Sequence, residues 1–490
     1  MSERTVEICP LWHTCGACTC INVPYGEQLA KKQAYVAELF DEIAGENCVC
    51  NAILGMDDPF RFRDKIVSPF AYGKRTSQAP RRDVKGKGNR DERGSRGKDK
   101  GKGGRDKRET RPILCGMYAA HSHRIVAVST CPVEHESGRR IIAAVASLMR
   151  KWDIKPYNED AGTGFLRHVV VRVGHNSGEV LVTLVTNGEE FPGSRNFARE
   201  LVKRCPEITT IVQNVNTRQT NAILGRDERT LFGPGFILDT LCGLSFRISA
   251  HSFYQVNATQ TEVLYRCAIQ MAGLDESLGA AAGDAAVAGV GTAEGAAGAG
   301  AADAVVGNTA RPLTVIDAYC GTGTIGLVAA ATSENVHVIG VDSVESAIVD
   351  ARQNARHNGI ENAEFVVGDA GEFMRQRAAA IAQVRADAAA DAATSADAVS
   401  AATDADTATA AADVLFLDPP RAGASVEFID AAALMAPARI VYISCNPETQ
   451  VRDVRQLISK GYRLDRIQPV DMFPHTDHVE CVVLLSKPRK

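Results

Sequence analysis

No run of about 18 apolar residues occurs in the 490-residue chain, so no membrane span is expected. The nearest approach is the Ala/Gly stretch 279–306, which Asp284, Glu294 and Asp303 interrupt. No apolar segment follows Met1-Ser2-Glu3-Arg4, so no secretory leader is expected either, and the expected location is cytoplasmic. An excess of one charge is also missing. There are 55 Lys+Arg against 59 Asp+Glu, a formal net of −4. That gives no global pull toward nucleic acid or anionic membrane, and any basic surface must be local. Cysteine is too sparse, at 14, for a small disulfide scaffold. Where cysteines cluster in a cytosolic chain they point to metal or catalysis. What is present is ample apolar material, 45%, and length for two or three domains.

Three stretches read as insertions in otherwise globular sequence. Residues 74–111 are Gly-, Lys- and Arg-rich. From Arg81 to Arg111 there are 14 basic and 6 acidic residues, a net of +8. Such a composition cannot bury a core and is expected to be disordered. Residues 276–311 are Ala/Gly-rich and 378–412 Ala/Asp-rich. Both read as low-complexity loops, the second with some helix because Ala favours it. Three blocks remain: a Cys-rich head, 1–58; a block 59–245; and a block 246–490. Runs such as Leu166 to Val173 and Val180 to Val185 predict an antiparallel β domain for the second. In the third, apolar strands at 313–318, 336–341, 363–367, 413–417, 439–444 and 480–486 alternate with helices. That pattern predicts an α/β fold with a mostly parallel, doubly wound sheet.

The third block carries the chemistry. Thr314 to Ala318 runs into Tyr319-Cys320-Gly321-Thr322-Gly323, a strand entering a Gly-rich turn with a helix from about Thr324. Glycines there let backbone approach a ligand at a helix N-terminus. Asp342 ends the next strand, where a carboxylate suits the hydroxyls of a ribose. Gly368-Asp369 ends the third strand, placed to meet an adenine edge. The spacing Gly321-x-Gly323-x-x-Gly326 leaves a dinucleotide possible, as it does a turn without ligand.

Asp413 to Asp418 is a strand ending in Asp418-Pro419-Pro420-Arg421. This motif tips the cofactor toward S-adenosylmethionine. Two prolines fix a rigid turn at the ligand-binding end of the strand. Amino-methyltransferases often follow such prolines with an aromatic, but here the residue is the charged Arg421. Arg439 to Ser444 then ends in Cys445, a thiol beside a methyl-donor site. Carbon 5 of uracil is a poor nucleophile, and thiolate attack at carbon 6 makes it a good one. A base must afterwards take the proton from carbon 5. Glu480 is the candidate, with His475 and His478 as rivals because histidine titrates near neutrality.

With those motifs in order, the third block resembles the RNA (uracil-5-)-methyltransferase family. The match runs through Phe253-Tyr254-Gln255-Val256-Asn257, Asp317 to Gly323, Asp418 to Arg421, Ser444-Cys445-Asn446-Pro447 and Phe473-Pro474-His475 through Glu480. The resemblance implies a Rossmann-like, seven-stranded methyltransferase domain behind an RNA-binding β domain. It implies that Gln255, Tyr319, Asp342 and Asp418 contact S-adenosylmethionine, with Asp369 on the adenosine. It also implies Cys445 as nucleophile and Glu480 as base.

The head carries Cys9-x5-Cys15-x2-Cys18, with Cys131-Pro132-Val133 far downstream. Taken alone, that spacing suits zinc and an iron–sulfur cluster equally. The head is similar to that of the bacterial 23S ribosomal RNA branch, which implies a [4Fe–4S] cluster on Cys9, Cys15, Cys18 and Cys131. Cys20, Cys48, Cys50 and Cys115 compete for the fourth place. The similarity also implies the short form of the branch, with no N-terminal oligonucleotide-binding barrel. The implied partner is 23S ribosomal RNA, with transfer RNA as the alternative. No feature demands more than a monomer. Phe60-Arg61-Phe62-Arg63-Asp64-Lys65 interleaves aromatics with basic residues, which suits RNA stacking plus phosphate contact or an ordinary amphipathic strand.

Overall fold

The computed structural model describes residues 9–74, 111–120, 122–274, 312–394 and 412–488. Of the three low-complexity stretches, 276–311 lies outside the described residues. So does 74–111 apart from its two end residues, and 378–412 between 395 and 411. Within 378–394 the chain is helical, continuing the helix Ala370–Thr394. Among the described residues no helix is long and apolar enough to cross a membrane.

Strand β1 (Val49–Cys50) belongs to the head. The second block holds β2 (Lys65–Tyr72), β3 (Ile113–Tyr118), β4 (Ile125–Ala127), β5 (Leu166–Val173), β6 (Val180–Thr186), β7 (Ile208–Val215) and β8 (Asp227–Phe232). They form one sheet in the order β4-β3-β2-β5-β6-β7-β8. The β-branched runs of β5 and β6 are buried at every position because both sheet faces are covered. On one face Val180, Val182 and Leu184 meet Ile141, Val145 and Leu148 of the helix Glu136–Lys151. On the other, Leu181 packs toward the hairpin of β9 (Phe236–Leu241) and β10 (Leu244–Ser249) and the third block.

This block differs from the expected antiparallel β domain. It is mixed, since β6 and β7 pair in parallel across the helix Ser194–Arg204. That helix buries Phe197, Ala198 and Leu201, a 3.6-residue period set among charged residues. The strand runs dominate the sequence pattern here, and the two short amphipathic helices are read only when this period is sought.

The third block holds β11 (Leu313–Ala318), β12 (Val336–Asp342), β13 (Ala363–Val367), β14 (Val414–Leu417), β15 (Arg439–Ser444), β16 (Arg463–Val470) and β17 (Glu480–Ser486). The sheet order is β1-β16-β17-β15-β14-β11-β12-β13. Seven strands are those of the third block, and β1 from the head adds an eighth alongside β16. Strand β16 is absent from the sequence reading. Its run RLDRIQPV holds a proline and charged residues, and its pairing with β17 shifts register at Leu464/Arg466.

Strands β11 to β15 run parallel, so their carboxyl ends share one edge of the sheet. Strand β17 runs antiparallel to β15, so its amino end lies at that same edge.

Candidate active site

The carboxyl edge gathers the expected residues, on either side of β11. Tyr319 follows β11, Asp342 ends β12, Asp369 lies two residues past β13, Asp418 follows β14 and Cys445 follows β15. Glu480 opens β17. Ser444 pairs with Cys481 in antiparallel register, which sets Cys445 opposite Glu480.

The Gly-rich turn is built for close approach. Tyr319 adopts a left-handed φ of 65°, which aims its ring at Phe428, 5.6 Å away between centroids. The two oxygens of Asp342 each accept one backbone N–H, from Gly321 at 3.0 Å and from Val344 at 2.8 Å. A carboxylate oxygen has two lone pairs, so each retains one for a ligand hydroxyl. Gly326 has a packing reason rather than a phosphate-binding one. A Cβ there would stand 2.8 Å from Oδ2 of Asp317, which accepts the Gly326 N–H at 2.9 Å. Asp317 is buried beneath the turn. Burial, with Asp418 and Asp342 nearby, pushes its carboxyl up to about 8 despite that hydrogen bond.

Gln255 is half-buried in the link between β10 and the helix Ala258–Ala272. Arg172 of the central sheet donates to the carbonyls of Ser252, 3.3 Å, and Tyr254, 3.1 Å, and so fixes the backbone leading into it. Asp369 is exposed and its Oδ1 accepts the Glu372 N–H at 2.9 Å, so it also caps the start of a helix.

Around the thiol the electrostatics are strongly coupled. Burial raises the Cys445 thiol above its ordinary range, and Glu480 adds to this. A hydrogen bond and the charge from Arg421 oppose it. Glu480 is 4% exposed, and burial beside Asp418 pushes its carboxyl up to about 8. Burial also brings Asp418 up to about 7. A cluster of carboxyls at one strand edge cannot all ionise cheaply, so protons are held here near neutral pH. Arg421 faces Cys445, Glu480 and His478, the last at 3.4 Å. It is the residue that sequence reasoning noticed as the missing aromatic without assigning it a place.

The rival bases are placed differently from Glu480. His475 is 1% exposed and its ring is occupied by Gln28, Pro59 and Phe60. His478 is exposed beside Arg421, and burial and that neighbour lower its pKa. Phe62 is also taken out of the surface. It is 4% exposed and packs with Ile21 and Val133, so it cannot stack on RNA as the aromatic–basic run suggested. Phe60 stacks on His475 at 4.8 Å, and Arg61 pairs with Glu136. A strand begins only at its last residue, Lys65, which opens β2, and Arg61 has a φ of 53°.

Cys9, Cys15, Cys18 and Cys131 line one small cavity of about 30 Å³, walled by Phe62, Val133, Pro474 and Thr476. Burial and mutual proximity raise the Cys18 thiol to about 12, and burial with Glu134 takes Cys131 to about 11. The competing cysteines lie elsewhere. Cys20 faces Gln28, Cys50 lies on β1 with Cys48 just before it, and Cys115 is on β3. Among the described residues no three His, Cys, Asp or Glu side chains are gathered tightly enough to share a single metal ion.

The family model described as tRNA (Uracil-5-)-methyltransferase matches residues 302–488. An uncharacterized RNA methyltransferase of Halalkalibacterium halodurans is 34% identical over 485 residues, covering 99% of this chain and 84% of that protein. The chain belongs to a family of RNA methyltransferases, and its third block matches the uracil-5 model. An uncharacterized RNA methyltransferase of Listeria innocua is 33% identical over 485 residues, with the same coverage, 99% and 84%. The fold is that of the Pyrococcus abyssi tRNA (uracil-54, C5)-methyltransferase, solved with S-adenosyl-L-homocysteine. The TM-score is 0.62 at 24% identity, covering 98% of this chain and 88% of that one. The protein is therefore an RNA methyltransferase with the α/β fold of its class.

Proposed function

We propose that this protein methylates carbon 5 of one uridine in 23S ribosomal RNA, with Cys445 as nucleophile and Glu480 as base. The observation that supports the chemistry is the opposition of Cys445 and Glu480 across the ends of β15 and β17. S-adenosylmethionine, when bound by Gln255, Tyr319, Asp342 and Asp418 with Asp369 near the adenosine, supplies an electrophilic methyl group.

The chain's own residues do the rest. The Cys445 thiolate attacks carbon 6 of a uracil splayed out of its stack, forming an S–C6 bond. The C5=C6 π electrons move toward the carbonyl at carbon 4, leaving carbon 5 nucleophilic to take the methyl. Arg421 favours the thiolate by hydrogen bond and charge. Glu480 then removes the proton on carbon 5, the C5=C6 bond re-forms and the S–C6 bond breaks, returning the thiolate. Glu480 must be ionised for that step, so its raised pKa makes it a strong base once deprotonated.

The choice of 23S ribosomal RNA rests on the head and its resemblance to that branch. A [4Fe–4S] cluster on Cys9, Cys15, Cys18 and Cys131 is consistent with four thiols around one space. Burial raises the Cys15, Cys18 and Cys131 thiols, and a cationic centre would offset that cost and hold them as thiolates. The cluster's role in this reading is to pin the head to the central block, since the methyl transfer derived above needs no electron. Transfer RNA is the second reading, favoured by the described substrates of the family model and of the Pyrococcus abyssi enzyme. Labelled S-adenosylmethionine offered with unmodified 23S ribosomal RNA and with transfer RNA, followed by nucleoside mapping, separates the two. 5-Methyluridine at a single 23S position is expected. Label in transfer RNA alone moves the assignment, and label in neither overturns it.

A further inference from the structure

The segment Asp471 to Thr476 leads straight into Glu480, and it is gripped by the head. Helix Tyr25–Phe40 buries Gln28, Lys32, Val36 and Phe40, a stripe at intervals of four. Its lower half is apolar and joins the core of the methyltransferase sheet. Its upper half is polar and meets the segment. Gln28 is 2% exposed, and its amide spans both sides. Nε2 donates to the carbonyls of Cys20, 3.1 Å, and Val23, 2.8 Å, and lies 3.2 Å from His475 Nδ1. Its Oε1 accepts the His475 N–H at 2.9 Å.

The imidazole tautomer follows from its partners. Nε2 of His475 lies 3.1 Å from the Pro59 carbonyl, which can only accept, so Nε2 carries the proton. Nδ1 is then an acceptor facing the Gln28 amide, sharing its two hydrogens with the Cys20 and Val23 carbonyls. The His475 carbonyl accepts the backbone N–H groups of Thr19 and Cys20, at 3.0 and 3.1 Å. His475 holds a left-handed φ of 67°, a strained conformation for a residue with a Cβ. Beside it, Lys32 forms a buried ion pair with Asp471 at 2.7 Å and donates to the Phe473 carbonyl at 3.1 Å. Tyr25 donates to the other oxygen of Asp471 at 2.8 Å. Pro474 and Thr476 of the same segment wall the four-cysteine cavity.

We propose that Gln28, with Lys32, is a positioning residue for Glu480: the head sets where the base stands, and so controls release of the methylated product rather than methyl transfer itself. The inference rests on the function proposed above. A base displaced by a fraction of an ångström loses proton abstraction before it affects attack by Cys445, which sits on a different strand.

The test is single-turnover methylation of 23S ribosomal RNA by the full chain, prepared anaerobically, as wild type and Gln28→Leu. Two quantities are followed: the denaturant-resistant protein–RNA adduct and released 5-methyluridine. Wild-type turnover comes first, and a wild type that methylates no uridine overturns the underlying reading and this one with it. With an active wild type, Gln28→Leu is expected to form adduct within about twofold of the normal rate. It is expected to release product about tenfold more slowly, so that adduct accumulates. Adduct formation and release falling together, or neither changing, overturns the proposal. If Gln28→Leu does not fold, Gln28→Glu is read by the same two rates. It keeps an acceptor for the His475 N–H and loses the amide donor to Nδ1.

Discussion

In the proposed mechanism Glu480 and Cys445 must both lose a proton before they act. The carboxyl is raised to about 8 by burial and Asp418, and the thiol is raised by burial and by Glu480. Activity depends on the deprotonated forms, so product formation should climb as pH rises through about 8. A kcat–pH profile checks this, and a rate already flat at pH 6.5 contradicts it. Arg421 lowers the Cys445 thiol, so Arg421→Met should raise it and cut adduct formation at pH 7 by about tenfold. The loss should shrink at pH 9, and an equal deficit at both pH values would show that Arg421 acts otherwise. The same burial has a consequence for stability. A carboxyl whose folded pKa is raised favours the fold most at low pH, and that contribution is lost as pH rises through the folded value. Glu480→Gln should therefore be more stable than the wild type at pH 8.5 by about 1–3 kcal/mol in a denaturant melt, with a smaller gap at pH 6.

At the scale of elements, what is short-range in sequence was legible. Strand β11 with its turn, β14 with Asp418-Pro419-Pro420-Arg421 and β15 with Cys445 each carry their functional residue immediately after an apolar run. Reading the run therefore locates the residue. Strand β16 and the two central helices were not legible. The strand mixes charges and a proline into its run, and the helix Ser194–Arg204 hides a narrow apolar stripe among charged residues. The turn itself gives a test of packing. Gly326→Ala would thrust a Cβ to 2.8 Å from Asp317 Oδ2, beneath the cofactor end of the sheet. A loss of about 1–3 kcal/mol in stability is expected, together with weaker binding of S-adenosyl-L-homocysteine. Denaturant melts and calorimetric titration measure both, and unchanged values would mean that the turn has slack.

Across the whole molecule, the head is joined to the catalytic edge by contacts that no local pattern announces. Gln28 and His475 lie 447 residues apart in sequence. In sequence Gln28 and Lys32 look like the wet side of an amphipathic helix, whereas both are buried against Asp471 to His475. Phe60 and Phe62 mislead for the same reason. Aromatics interleaved with arginines read as an RNA surface, yet here they pack the joint between cavity and catalytic segment. The cluster reading belongs at this scale too. Cys18→Ser should lower iron and sulfide content in anaerobically purified protein and lower its melting temperature by several degrees. Full iron content in that variant would exclude Cys18 as a ligand.

The most direct measurement is a denaturing gel of Glu480→Gln protein mixed with unmodified 23S ribosomal RNA and labelled S-adenosylmethionine. With the base removed, methyl transfer should still occur but the S–C6 bond should persist. The expected result is a labelled protein–RNA adduct whose digestion maps the linkage to Cys445, and which is absent when Cys445→Ala is added. Free labelled 5-methyluridine with no adduct, or an adduct that survives Cys445→Ala, would contradict thiolate catalysis with Glu480 as the base.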